Sequence, residues 1–258
     1  MSTTTATLLA LPPQRSHTIR AEDFGAAGLE AVESLGPFTD VQACGPLLTI
    51  HDSTFEPRSG IGHHPHQRME RLFYILEGAV EHDDVLNGIT GQMGTGDLGI
   101  LTEGRRGMVH SERNDTDGRA RCWILVYPND PLEATASFDA VRDAEAPRTR
   151  EASGVRAKEV IARGSARLGG DVRAFTDLDL EAGAGTTVDL DAEEGAALFV
   201  VDGSVEVGVD AEQAAGGPRH TFLAPPAARP RRLTVEATSE ARVLRVIVGP
   251  GFGLRLAS

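Results

Sequence analysis

The chain has 258 residues, 40% of them apolar and 24% charged, so it is long enough for two domains and too apolar to be disordered. Its formal net charge of −13 argues against a broad binding face for nucleic-acid phosphates or an anionic membrane. The 29 glycines and 14 prolines favour turns and short strands over long helices.

Taken in chain order, Met1 to His17 has no basic leader and only the short apolar run Leu8–Leu11. No signal peptide is expected, and the expected location is the cytoplasm. No apolar run approaches the ~20 residues that span a bilayer. Cys44 and Cys122 stand in no metal or redox spacing and read as buried thiols in a reducing compartment. Short apolar or alternating runs follow at Leu47–Ile50, Leu72–Leu76 and Cys122–Tyr127, then at Ala197–Val201, Val205–Val209 and Val243–Val248. Punctuated by Gly, Asn and Asp, they predict an all-β chain of the sandwich or barrel kind. Between Pro128 and Arg156 the composition shifts to Ala, Asp, Glu, Pro and Arg, which marks a linker. Leu132–Asp143 and Ala157–Arg163 are helix-competent. Lys158, the only lysine, falls in a polar stretch and leaves little scope for Schiff-base chemistry.

An internal repeat organises the rest. Phe73–Glu81 resembles Leu198–Glu206 at an offset of 125, and Cys122–Pro128 parallels Leu244–Pro250 at an offset of 122. In both copies an apolar strand meets an acidic-Gly pair and a second strand, which reads as a tight hairpin. Two copies of one small barrel account for the length, with domains expected at 1–140 and 141–258. The same offsets place Asp189 opposite His64, Asp191 opposite His66 and Arg232 opposite His110. Arginine is no metal ligand, so a metal in the first copy has no matching site in the second. Asp189 and Asp191 read as a solvated acidic loop, with a hard cation such as calcium as the alternative.

The chemistry gathers between residues 60 and 114. Residues two apart on a strand share a face, so His64 and His66 project together and His63 points away. His110 and Glu112 form a second such pair. Facing one another across a barrel, the two pairs supply three imidazoles and one carboxylate, a set for a divalent first-row metal such as iron, with nickel, copper, manganese or zinc as alternatives. Glu70 is either a ligand in place of Glu112 or a partner that orients an imidazole. His17, His51, His82 and His220 read as surface or hydrogen-bonded residues.

The run His64-Pro65-His66-Gln67-Arg68-Met69-Glu70, with Tyr74–Gly78, His82-Asp83-Asp84, Gly96-Asp97 and Gly107–Glu112, resembles the pirin family of the cupin superfamily over about residues 45–128. The resemblance implies an all-β bicupin, two tandem jelly-roll-like β-barrels with a few short helices in the linker. The N-terminal barrel then holds one metal, commonly iron, and the C-terminal one is degenerate. The family's ligands fall on His64, His66, His110 and Glu112, which favours Glu112 over Glu70. The chain departs from the family pattern at Gln67-Arg68-Met69, at Glu103 and Arg106, and at the turn Asp84–Gly88. These substitutions bear on the pocket mouth more than on the metal.

Two functions follow from the resemblance. One is a dioxygenase that cleaves a flavonol such as quercetin with O2 and releases CO, in which Glu112 accepts the substrate hydroxyl proton. The other is a non-catalytic, iron-dependent regulator or redox sensor acting through a protein partner. Neither involves direct binding of nucleic acid or membrane.

Overall fold

The structure, a computed structural model, describes residues 6–129 and 134–257. Among them the regular secondary structure is almost all strand, in two units of the same plan. In the first, a seven-stranded sheet runs in the order Ser137–Val141, Leu98–Thr102, Met69–Glu77, Ala120–Pro128, Thr49–Phe55, Leu29–Leu35, His17–Ile19. A four-stranded sheet covers one face, in the order Ser59–His66, Met108–Asn114, Ala79–Asp84, Ile89–Gly94. In the second unit the seven strands are Leu9–Leu11, Thr221–Ala224, Gly195–Asp202, Ala241–Val248, Val172–Leu180, Val155–Ile161 and Arg148–Ala152. Its four-stranded partner is Gly185–Leu190, Arg231–Ala237, Val205–Val209 and Glu212–Gly216. The expected barrels are thus jelly-roll sandwiches whose sheets do not close.

Alternation along the strands sorts the core into layers. Phe73, Ile75, Val80, Met93, Leu101 and Cys122 fill the space between the two sheets of the first unit. Leu198, Val200, Val207, Leu233 and Val243 do the same in the second. The residues in between, including Tyr74, Trp123 and Leu125 from one unit and Phe175, Phe199 and Leu244 from the other, form a third core in which the two large sheets pack together. Full burial of a side chain such as Phe175 contributes about 1.5–3 kcal/mol, so this shared layer binds the units into one body. Cys44 and Cys122 are free and buried, as expected, and burial pushes the Cys44 thiol up to about 12.

The repeated hairpin is present in both copies. Gly78 and Gly203 turn it with φ of 73° and 75°, a conformation that glycine adopts without strain. Each large sheet is finished by a strand from before the other unit. Leu9–Leu11 pairs with Thr221–Ala224, and Ser137–Val141 pairs with Leu98–Thr102. The expected boundary at 140/141 falls within that second crossing strand. Leu254–Leu256 in turn pairs with Val41–Cys44 of the first unit.

Among the described residues, the helices expected around the linker are not found. Ser137–Val141 is an edge strand paired with Leu98–Thr102, and Val155–Ile161 is a strand paired on both sides, with Arg148–Ala152 and Val172–Leu180. Leu132 and Glu133 lie outside the described residues. Pairing with neighbouring strands supplies backbone partners that override a local helix preference. The short helix present spans Ala21–Phe24 and caps the first unit, not the linker. Lys158 is also placed differently from its polar sequence context. It is buried, donates to the Gly96 carbonyl (2.7 Å) and the Asp143 carboxylate (2.6 Å), and ties the units together.

Candidate metal centre

The strands Ser59–His66 and Met108–Asn114 run antiparallel, with His64 directly opposite His110. His110 and Glu112, two apart on a strand that pairs regularly with Ala79–Asp84, both face the interior, while Ser59–His66 carries one extra residue between Ile61 and His64. The ring centres lie 4.8 Å apart for His64 and His66, 4.7 Å for His64 and His110, and 5.2 Å for His66 and His110. Their nitrogens form one group able to hold a metal ion. Glu112 Oε1 stands 3.0 Å from His110 Nδ1, and Oε2 stands 3.9 Å from His64 Nε2. The structure therefore brings His64, His66, His110 and Glu112 together. His110 and Glu112 are buried, whereas His64 keeps 26% of its side chain exposed.

The hydrogen bonds of the three imidazoles differ in a way that bears on coordination. His64 Nδ1 donates to the Gly62 carbonyl (2.8 Å), which leaves Nε2 with its lone pair. His110 has neither ring nitrogen in a hydrogen bond, since its approach to Glu112 lacks the alignment of one. A buried, unsatisfied imidazole costs about 1–3 kcal/mol, and a bound cation would satisfy it. His66 is constrained: Arg71 Nη2 donates to its Nδ1 (2.9 Å), while Arg71 Nε is held by the fully buried Glu103 carboxylate at 2.6 Å. Sequence reading noted Glu103 only as an added charge at the pocket mouth. In the fold it positions the guanidinium that engages His66.

These surroundings set the charge states. Burial lowers the His66 pKa to about 3, assisted by Arg71 and the neighbouring imidazoles. Burial likewise lowers those of His64 and His82. For Glu112, burial favours the neutral acid, but His110, His64 and Arg71 outweigh it and hold the carboxyl down at about 2. His64, His66 and His82 are thus held toward the neutral imidazole and Glu112 toward the ionised carboxylate, the forms in which these side chains bind metals.

Glu70 is placed elsewhere. Its carboxylate accepts from Tyr127 (2.6 Å), Thr102 (2.9 Å) and the Gly169 backbone N–H (3.0 Å), so it joins the two units and is not among the metal-capable residues. His63 is exposed and pairs with Asp83, as its outward phase implies. His82 overturns its reading as a surface or hydrogen-bonded residue. It is 1% exposed, neither ring nitrogen is hydrogen-bonded, and it forms a second metal-capable group with His110 and Glu112. Its phase along Ala79–Asp84, two residues after the buried Val80, was the available signal.

The alignment of the second copy also needs correction by one residue. Val188 lies opposite Leu233 in the pairing, as His64 lies opposite His110, and these are the residues that face inward. Asp189 and Arg232 point outward and pair with each other at 3.1 Å, with side chains 73% and 69% exposed. A one-residue difference in the connection to the next strand reverses every face. Asp191 reaches Arg163 at 3.4 Å, and among the described residues neither aspartate belongs to a metal-capable group.

The two jelly-roll units form a fold of the bicupin kind, with a histidine–carboxylate cluster inside one of them. Residues 19–125, most of the first unit, match the family model described as Pirin. Over 102 residues it is 37% identical to the quercetin 2,3-dioxygenase of Escherichia coli strain K12, covering 37% of this chain and 43% of that one. The chain thus matches less than half the length of that relative. A pirin-like protein of Caulobacter vibrioides is 28% identical over 232 residues, 84% of this chain and 80% of the relative. Among solved structures, the bacterial pirin YhhW of Escherichia coli in complex with nickel(II) shares the fold with a TM-score of 0.74 at 20% identity, covering 94% of this chain and 99% of that one.

Proposed function

We propose that the first unit holds one divalent first-row metal through His64, His66, His110 and Glu112, and that the chain is a dioxygenase acting on a flavonol-type substrate. The observation that carries this reading is His110, buried with no hydrogen bond on either ring nitrogen among two imidazoles and a carboxylate. The nickel(II) complex of a pirin of the same fold and the relatives named quercetin 2,3-dioxygenase support it. Iron(II) is the metal we favour, because imidazole and carboxylate donors with open positions suit oxygen chemistry.

When bound, the metal supplies Lewis acidity to an oxygen ligand. The residues of the chain do the rest. His64, with 26% of its side chain exposed, marks the open side through which substrate enters. Glu112, ionised at neutral pH, accepts the proton of the substrate hydroxyl. The electron-rich flavonol then takes up both oxygen atoms of O2 and opens its central ring, and the carbon that bore the hydroxyl leaves as CO. Burial of Glu112 keeps bulk water from that proton transfer.

The test is flavonol-dependent O2 consumption with CO detection on protein loaded anaerobically with ferrous iron, with metal content measured beside it. Glu112→Gln is expected to retain metal and lose roughly 10²–10⁴-fold in rate. Wild-type turnover by a metal-loaded Glu112→Gln protein removes the base from the mechanism. Absence of turnover by the metal-loaded wild type overturns the dioxygenase reading.

A further inference from the structure

His82 has no role in the reading above, yet it is placed as if it had one. Its ring centre is 5.2 Å from that of His110, and Phe138 stacks on it at 5.6 Å and 12°. Both ring nitrogens are shielded from water and bonded to nothing. The fold itself does not require an imidazole there. At the offset of 125 the second unit carries Val207, fully buried in its apolar core. A histidine that only filled space would leave two unsatisfied nitrogens where valine leaves none.

His82, His110 and Glu112 each offer a ligand atom within 4.8 Å of the others. Two imidazoles and one carboxylate make a recurrent set for divalent iron and its neighbours. The outer position is constrained at His66, whose Nδ1 accepts from Arg71 so that the neutral ring carries its proton on Nε2, whereas His82 is bonded at neither nitrogen. A cleft of about 840 Å³ lined by His82, Phe138, His63, Gln92 and Arg113 supplies an approach from solvent.

We infer that the centre has two mutually exclusive positions for one ion. The outer one uses His64 and His66, the inner one uses His82, and both share His110 and Glu112. This rests on the metal-centre reading proposed above. It adds a ligand, and it makes the inner position independent of the two residues of the His-Pro-His run.

The experiment is cobalt(II) titration of metal-free protein, followed by visible absorption and equilibrium dialysis, with folding checked by circular dichroism. The His64→Ala/His66→Ala protein is expected to bind one equivalent of cobalt, more weakly than wild type and with an altered spectrum. Adding His82→Val, the residue of the second unit, is expected to abolish that binding. His82→Val alone is expected to leave the metal-free fold as stable as wild type or more so. A folded His64→Ala/His66→Ala protein that binds no cobalt overturns the inner position, as does residual binding that survives His82→Val. His64→Gln/His66→Gln serves the same test if the alanine pair does not fold. Failure of the wild type to bind cobalt at all would instead overturn the metal centre as a whole.

Discussion

In the first unit, the positions that face the space between the sheets include His64, His66, His82, His110 and Glu112. In the second, the matching positions carry Val188, Leu190, Val207, Leu233 and Val235. The strand order, the hairpin glycines and the crossing edge strand are the same in both. The second unit therefore acts as an internal control. It demonstrates that this architecture closes over an apolar interior, so the polar cluster in the first is not there to make the fold. Around that cluster the first unit also carries the ion pair Arg71–Glu103, where the second has Ala196 and Pro226.

The largest expected effect comes from breaking that ion pair. Arg71→Met leaves the fully buried Glu103 carboxylate without its cation, and a loss of about 3 kcal/mol in stability is expected on urea unfolding. The Arg71→Met/Glu103→Gln protein is expected to regain most of it, since an uncompensated charge, and not lost packing, is the cause. A double variant no more stable than the single one would assign the loss to packing.

The next effect is pH dependence of the metal-free protein. An unfolded His66 takes up a proton below about 6.5, whereas the folded one, held down by burial and Arg71, does not until about 3. Between those values the unfolded state binds more protons, so stability falls as the pH is lowered through that window. His66→Leu, which copies Leu190 of the second unit, is expected to flatten this slope in unfolding curves taken from pH 7 to 4. An unchanged slope would mean that other groups set the acid limit.

The smallest effect is expected at the outward pair of the second unit. Asp189 and Arg232 are both mostly exposed, so Arg232→Ala should cost under about 1 kcal/mol and leave metal content unchanged. A larger loss, or a change in bound metal, would give that unit a role beyond packing.

Much of this was legible in the sequence. The alternating runs located the main strands, and the acidic-Gly turn exposed the repeat. The two-residue spacing of His64 with His66 and of His110 with Glu112 put each pair on one face. What stayed hidden depended on tertiary context. The phase of the second copy slipped by one residue because a connection differs in length, which turned Asp189 and Arg232 the wrong way. His82 looked ordinary because a single histidine on a strand carries no spacing partner. Its burial comes from Phe138, on a strand that crosses from the linker. That strand itself read as helix because its backbone partners are more than 30 residues away in the chain. The hold of Arg71 on His66 joins residues whose charge was visible but whose contact was not.

The most direct measurement is metal content after anaerobic loading with ferrous iron and desalting, on the wild type, His110→Ala and Arg232→Ala. His110 belongs to both metal-capable groups, whereas Arg232 is the residue its spacing first paired with it. One equivalent of iron in the wild type and in Arg232→Ala, with close to none in a folded His110→Ala, is the expected result. Equal iron in His110→Ala and the wild type, or none in either, would contradict a metal centre built on the first unit.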